Sequence, residues 1–219
     1  MYLTANIIVC AAAFLGFIYG GVQFFRPQKA LYAQMITLSL GCITFGRLFN
    51  IVRLLTDGDL TNSFQLGFLG LIGSLMFFFS ANFGTVDSLV DDRSKEFTKY
   101  RLIALIAPVA AIALYVVLFL LADISLLWKI SGAVLTLFIV FASYFNLKHL
   151  VFPDVEFGVG KCLRPYNLLA LIYAVSILFE CYAMSIGNEL MTLICCCISG
   201  LITLAMMPLI VRGVAKWKI

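Results

Sequence analysis

Seven apolar runs, each long enough to cross a bilayer, dominate this chain. They fall at about Leu3–Phe25, Leu31–Leu55, Phe64–Leu89, Leu102–Leu121, Leu126–Val151, Asn167–Ser185 and Leu190–Val211. A helix rises 1.5 Å per residue, so about 20 apolar residues cover the hydrocarbon core. Backbone groups in lipid must satisfy one another, which makes each run a helix. The expected fold class is therefore all-α: a polytopic integral membrane protein with one seven-transmembrane-helix bundle over residues 1–219. Composition agrees, with 63% hydrophobic and 12% charged residues and a mean hydropathy of +1.07. Soluble domains carry about twice that charge.

The loops alternate in charge. Arg26 and Lys29 follow span one, and Arg93, Lys95, Lys99 and Arg101 follow span three. Lys148, Lys161 and Arg164 end or follow span five, and Arg212, Lys216 and Lys218 follow span seven. Twelve of the 15 basic residues thus share one side. The positive-inside rule makes that side cytoplasmic, giving an N-out/C-in protein, expected in the cell membrane. The net charge of +4 does not point to nucleic acid, because the basic residues sit between spans. The first run lacks a basic leader and a small-x-small cleavage site, so it reads as a retained span and not a signal peptide.

Arg47 lies inside span two. A charge deep in an apolar span costs on the order of 2.5–3.5 kcal/mol on insertion scales, so it is expected to face a partner or a wet cavity. Span two enters from the cytoplasm at Leu31, which puts Arg47 roughly 24 Å along it. Span six enters near Asn167, and its Glu180 lies roughly 19–20 Å along. Asp87, about 34 Å along span three, is too far away. Glu180 is therefore the expected partner. Helical spacing adds Thr44 and Asn50 beside Arg47, and Tyr173 and Ser176 beside Glu180. Two such stripes facing inward predict a polar site between spans two, three and six, serving ligand binding or a charge pair. The plainer reading of the same residues is an ion pair that only fixes helix register.

A second polar group, Asn82, Asp87, Asn146, Lys148 and His149, falls at the cytoplasmic mouth. Solvation at the interface accounts for it. His149 is the only histidine and by itself makes no metal site.

Small residues mark close approaches: Ala12, Gly16 and Gly20 on span one, and Gly67, Gly70, Gly73 and Ser74 on span three. Pro108 and Pro208 are expected to kink spans four and seven. The Pro and Gly residues of Phe152–Tyr166 argue against helix there. None of the seven Cys forms a CxxC pair or a Cys/His grouping with metal-ligand spacing, and Cys195, Cys196 and Cys197 read as packing residues.

The order of three spans, a linker span and three more, with N-out/C-in topology, resembles SWEET-type sugar transporters in layout. Their Pro-Gln pair lies within the first span of a repeat, whereas Pro27-Gln28 here follows span one, so no residue role carries over. The chain holds no H-E-x-x-H, G-x-S-x-G, P-loop or G-x-G-x-x-G. Span seven has no Lys for a retinal Schiff base. No catalytic residue, cofactor or metal is expected. The function expected is a small-solute transporter or binding protein. Its alternative is a seven-helix sensor, receptor module or accessory subunit acting through a separate partner protein. The expected partners are the lipid bilayer, a small-molecule solute, and a second copy or a membrane or cytoplasmic protein.

Overall fold

The computed structural model describes residues 1–25, 30–56, 58, 60, 66–153 and 159–216, without side-chain detail at 85, 89, 159–162 and 214–216. It is all-α, and seven helices are long and apolar enough to span a membrane, as in a multi-pass membrane protein. These are α1 (Tyr2–Phe24), α2 (Leu31–Thr56), α3 (Leu66–Thr85), the span-four segments α5 (Thr98–Ala104) and α6 (Ile106–Tyr115), α7 (Leu126–Val151), α8 (Val159–Ser185) and α9 (Glu189–Lys216). A short α4 (Asp87–Val90) follows α3.

Three boundaries differ from the sequence expectation. Span three stops at Thr85, and a turn at Val86 sets α4 off from it. That turn brings Asp87 and Asp91 to basic side chains on α7 and α5. Span four breaks at Leu105, because Pro108 has no N–H to give the Ala104 carbonyl and the Leu105 N–H bonds Leu102 at 3.1 Å. Pro208, by contrast, sits inside an unbroken α9. The stretch expected to exclude helix does not do so in its second half. α8 already begins at Val159 and runs through Pro165. One backbone bond lost near a helix start is offset there by burial of Leu163 and Tyr166. Residues 154–158 lie outside the described structure.

Six helices form a ring in the order α1, α2, α3, α7, α8, α9, closed by α9 against α1, and span four packs outside on α7. The α8–α9 corner is set by Gly187, whose φ of +68° suits a residue without a Cβ. Asn188 then accepts from the Met191 N–H at 3.0 Å, capping α9. Phe79, Phe83, Phe141 and Phe145 stack at the α3–α7 seam. Large apolar side chains such as Phe45, Leu55, Val109 and Leu201 point outward, as lipid-facing positions do.

The small-residue ladders serve internal packing. A Cβ on Gly70 would lie 2.6 Å from the Cys42 carbonyl oxygen and 2.6 Å from Gly46 Cα, so α2 and α3 cross backbone on backbone. Gly16 faces Leu40 and the Thr203 carbonyl of α9. Overpacking at such a contact costs typically 1–3 kcal/mol. Gly70→Ala is therefore expected to lower the melting temperature of the detergent-solubilised protein. Gly84→Ala, with nothing within 4 Å, should leave it unchanged. Equal melting temperatures for the two variants would mean that the crossing is looser than described.

Candidate functional site

Arg47 on α2 and Glu180 on α8 meet inside the ring, each 2% exposed. The contact is bidentate: Nη1 pairs with Oε1, and Nη2 donates to Oε2 at 2.7 Å. The planar guanidinium fork matches a carboxylate edge, which gives this pair its orientation as well as its attraction. α2 and α8 are not neighbours in the ring, so the two side chains bridge its interior.

The helices around the pair complete it. Asn6 on α1 is 1% exposed. Its Oδ1 accepts from Arg47 Nη1 and from Asn50 Nδ2, both at 3.3 Å, and its Nδ2 donates to the Tyr2 carbonyl at 3.0 Å. Cys196 on α9 places its Sγ 4.0 Å from Arg47 Nη1. α3 contributes space: Gly67 leaves the room that the Asn50 amide fills. Arg47 Nε and Asn50 Oδ1 make no hydrogen bond among the described residues. A cavity of about 20 Å³ lies among Arg47, Asn50, Glu180, Phe68 and Trp128. That is room for about one water.

The other stripe residues divide. Tyr173 lies buried two turns from Glu180, edge-on to Phe78 with ring centroids 5.8 Å apart. Thr44 donates to the Leu40 carbonyl of its own helix at 2.8 Å. Ser176 turns to α9, bonding the Cys195 carbonyl and the Ser199 hydroxyl, each at 3.0 Å. The structure therefore does not bring Thr44 or Ser176 to the pair. It adds Asn6, whose signal in the sequence is an amide inside an otherwise apolar run.

The second polar group is corrected by its burial. Asn82 and His149 are 0% exposed, Asn146 1% and Lys148 4%, so solvation does not account for them. Asn82 Nδ2 donates to Asn146 Oδ1 at 2.7 Å and to Asn167 Oδ1 at 3.2 Å. His149 bridges Asn82 Oδ1 and Asp87 Oδ1, each at 3.2 Å. Lys148 Nζ sits between Asp87 at 2.6 Å and Asp91 at 2.7 Å, over the Phe152 ring. Arg101 closes the network with two bonds to Asp91, at 2.6 and 2.8 Å. Asn167, Asp91 and Arg101 join it although their sequence positions read as a span end and a loop. Lys148 and Arg101, expected among the loop charges, are thus spent on the carboxylates of Asp87 and the buried Asp91.

Hydrogen bonds from Arg101 hold the Asp91 carboxyl well below the usual carboxylate range; burial opposes this and Lys148 adds to it. For Asp87, burial pushes the carboxyl up, but His149 and Lys148 outweigh it and the net direction is down. No protein-family model, curated protein or solved structure matches this chain.

Two outcomes follow from these geometries. Removing one member of a buried pair strands the other, at a cost of about 3–5 kcal/mol. Glu180→Gln or Arg47→Ala alone should therefore lower folded yield sharply, and the double change Arg47→Met with Glu180→Met should recover it. A double variant as unstable as the sum of the singles would show that the two charges do not act as a pair. For the second network, a depressed folded pKa gives stability present above the unfolded carboxylate value of about 3.9. That stability is lost as pH falls through the folded value. The melting temperature should begin to fall below about pH 5 and go on falling past the unfolded carboxylate value, less steeply in Asp91→Asn, and parallel curves would remove Asp91 from this role.

Proposed function

We propose that this chain binds or carries a small solute through the interior of the six-helix ring, in an N-out/C-in orientation. The supporting observation is the order of chemistry along the ring axis. Tyr166, Tyr173 and Glu180 recur every seven residues on α8, so one face carries all three. Arg47, Glu180, Asn6 and Asn50 form a polar layer in one half. Tyr173 and Phe78 follow it, edge to face with centroids 5.8 Å apart, and Phe78 also meets Tyr166, which sits beside Asn167 and against Tyr32. Asn167, Asn82, Asn146 and His149 form a polar layer in the other half. A constriction of aromatic rings between two polar groups is one way in which a pore is gated, which supports this reading. In this reading Arg47–Glu180 is the charge pair that a solute must part, and the described state is closed.

One observation favours the second reading, a sensor or accessory subunit. The space beside the pair, about 20 Å³, is far below the several hundred Å³ of a small-molecule pocket. In that case the pair would set helix register and a separate partner protein would carry the output.

Purified protein in proteoliposomes should take up one class of a panel of sugars, amino acids and organic anions, saturably. Arg47→Met with Glu180→Met should reduce that uptake at least about tenfold while remaining folded. No uptake of any class, with a stoichiometric partner in mild-detergent preparations, would replace this reading by the second. For orientation, a reporter fused after Ile219 should be active only in the cytoplasm. One inserted between positions 57 and 62 should be active only outside, and the reverse pattern would invert the topology.

A further inference from the structure

The amides at the end of the bundle opposite Arg47 specify where protons must sit. Asn146 Nδ2 donates to the Ala142 carbonyl oxygen at 2.8 Å. A carbonyl only accepts, so the Asn146 amide has one orientation and its Oδ1 faces Asn82. Asn82 must then point Nδ2 at Asn146 and Asn167, which leaves its Oδ1 towards His149 Nδ1 at 3.2 Å. Nδ1 therefore carries a hydrogen. The other ring nitrogen, Nε2, faces Asp87 Oδ1 at 3.2 Å, and that oxygen also accepts from Lys148 at 2.6 Å. Both nitrogens of His149 thus face acceptors. Only the imidazolium form donates from both.

We propose that His149 is a proton-binding site, its second proton held at Nε2 and shared with Asp87. The ligand is a proton exchanged with water at the basic end of the bundle. His149 is fully buried, whereas the Asp87 side chain is 19% exposed. Asp87 also lines a cavity of about 340 Å³ with Phe83, Ser88, Asp91, Asp92 and Arg93. The route runs through Asp87. The Nε2 proton passes to the Asp87 carboxylate, leaving a neutral ring and a neutral carboxyl. The carboxyl then gives that proton to water and returns to the anion.

The charges facing the ring decide what the proton does. Asp87 comes from α4, Asp91 from the turn after α4, Lys148 from α7 itself and Arg101 from α5, while α3 and α8 present Asn82 and Asn167. Burial and Lys148 work against a charged ring; the Asp87 carboxylate and the Asn82 oxygen favour it. Once Nε2 is bare, its lone pair opposes the Asp87 oxygen and one tie between α4 and α7 is lost. The site is therefore a proton-dependent latch at this end of the ring, and it stands whether or not the chain carries a solute.

The test exploits the single histidine. In protein labelled with ¹⁵N-histidine and titrated, both ring nitrogens of His149 should carry hydrogens on the acid side, and the Nε2 hydrogen should be the one lost as pH rises, Nδ1 keeping its own. A ring that loses the Nδ1 hydrogen instead, or that never carries two, overturns the proposal. In Asp87→Asn the Nε2 hydrogen should be lost at a lower pH than in the wild type, and an unchanged titration overturns the role of Asp87 as the sharing partner. Should that variant not fold, the wild-type spectrum decides. Solute uptake is not read in either measurement, so its failure and the failure of the latch remain separate.

Discussion

The Arg47–Glu180 pair constrains the whole bundle, because neither charge is tolerable there without the other. Taking an ion out of water costs several kcal/mol even after relaxation, and only good geometry with extra hydrogen bonds offsets it. The bidentate contact supplies the geometry. Asn6 supplies an extra acceptor, and Asn50 anchors Asn6. Those residues belong to α1, α2 and α8, so three helices must share one depth and one set of rotations. A shift of α8 by one turn, about 5.4 Å, would separate the two charges. The glycines of α2 and α3 serve the same end, since Gly67 leaves room for the Asn50 amide and Gly46 and Gly70 allow the backbones to touch.

The two polar layers solve the same problem differently. The pair is sealed, and its charges answer to each other and to neighbouring amides. The opposite layer is a mixed network of amides and ions, partly open to a surface cavity through Asp87. Among the described residues its anions are Asp87 and Asp91, and its fixed cations are Lys148 and Arg101. Against that balance of two and two stands His149, whose ring bridges Asn82 and Asp87. Tyr173 and Phe78 stand between the two layers, and Phe78 is also edge-on to Tyr166 beside Asn167.

Much of this is legible in the order of residues along the chain. The spans follow from hydropathy because lipid imposes a one-dimensional test, a run of apolar residues of fixed length. The depth match of Arg47 and Glu180 follows from a fixed rise per residue and from the scarcity of deep charges. Azimuth is less legible. Ser176 lies four residues before Glu180, about 40° around the helix, and that rotation turns it to α9 instead of α2. Thr44 satisfies its hydroxyl on its own backbone, as hydroxyls in apolar helices do. Lys148 and Arg101 read as loop charges because a sequence does not show where a helix ends relative to a neighbour's carboxylates.

The sequence by itself determined the class of fold, the number of long apolar helices and the candidate pair, since each rests on local chain properties that no neighbour can alter. Only the tertiary structure decided that span four stands outside a six-helix ring and that Asn6 completes the pair. It also decided that the interior at Arg47 is nearly filled and that Asn82 presents an oxygen to His149. These depend on which helix faces which and at what rotation. That is settled by packing between side chains far apart in the chain, where the spacing of residues along one helix carries no information about its partners.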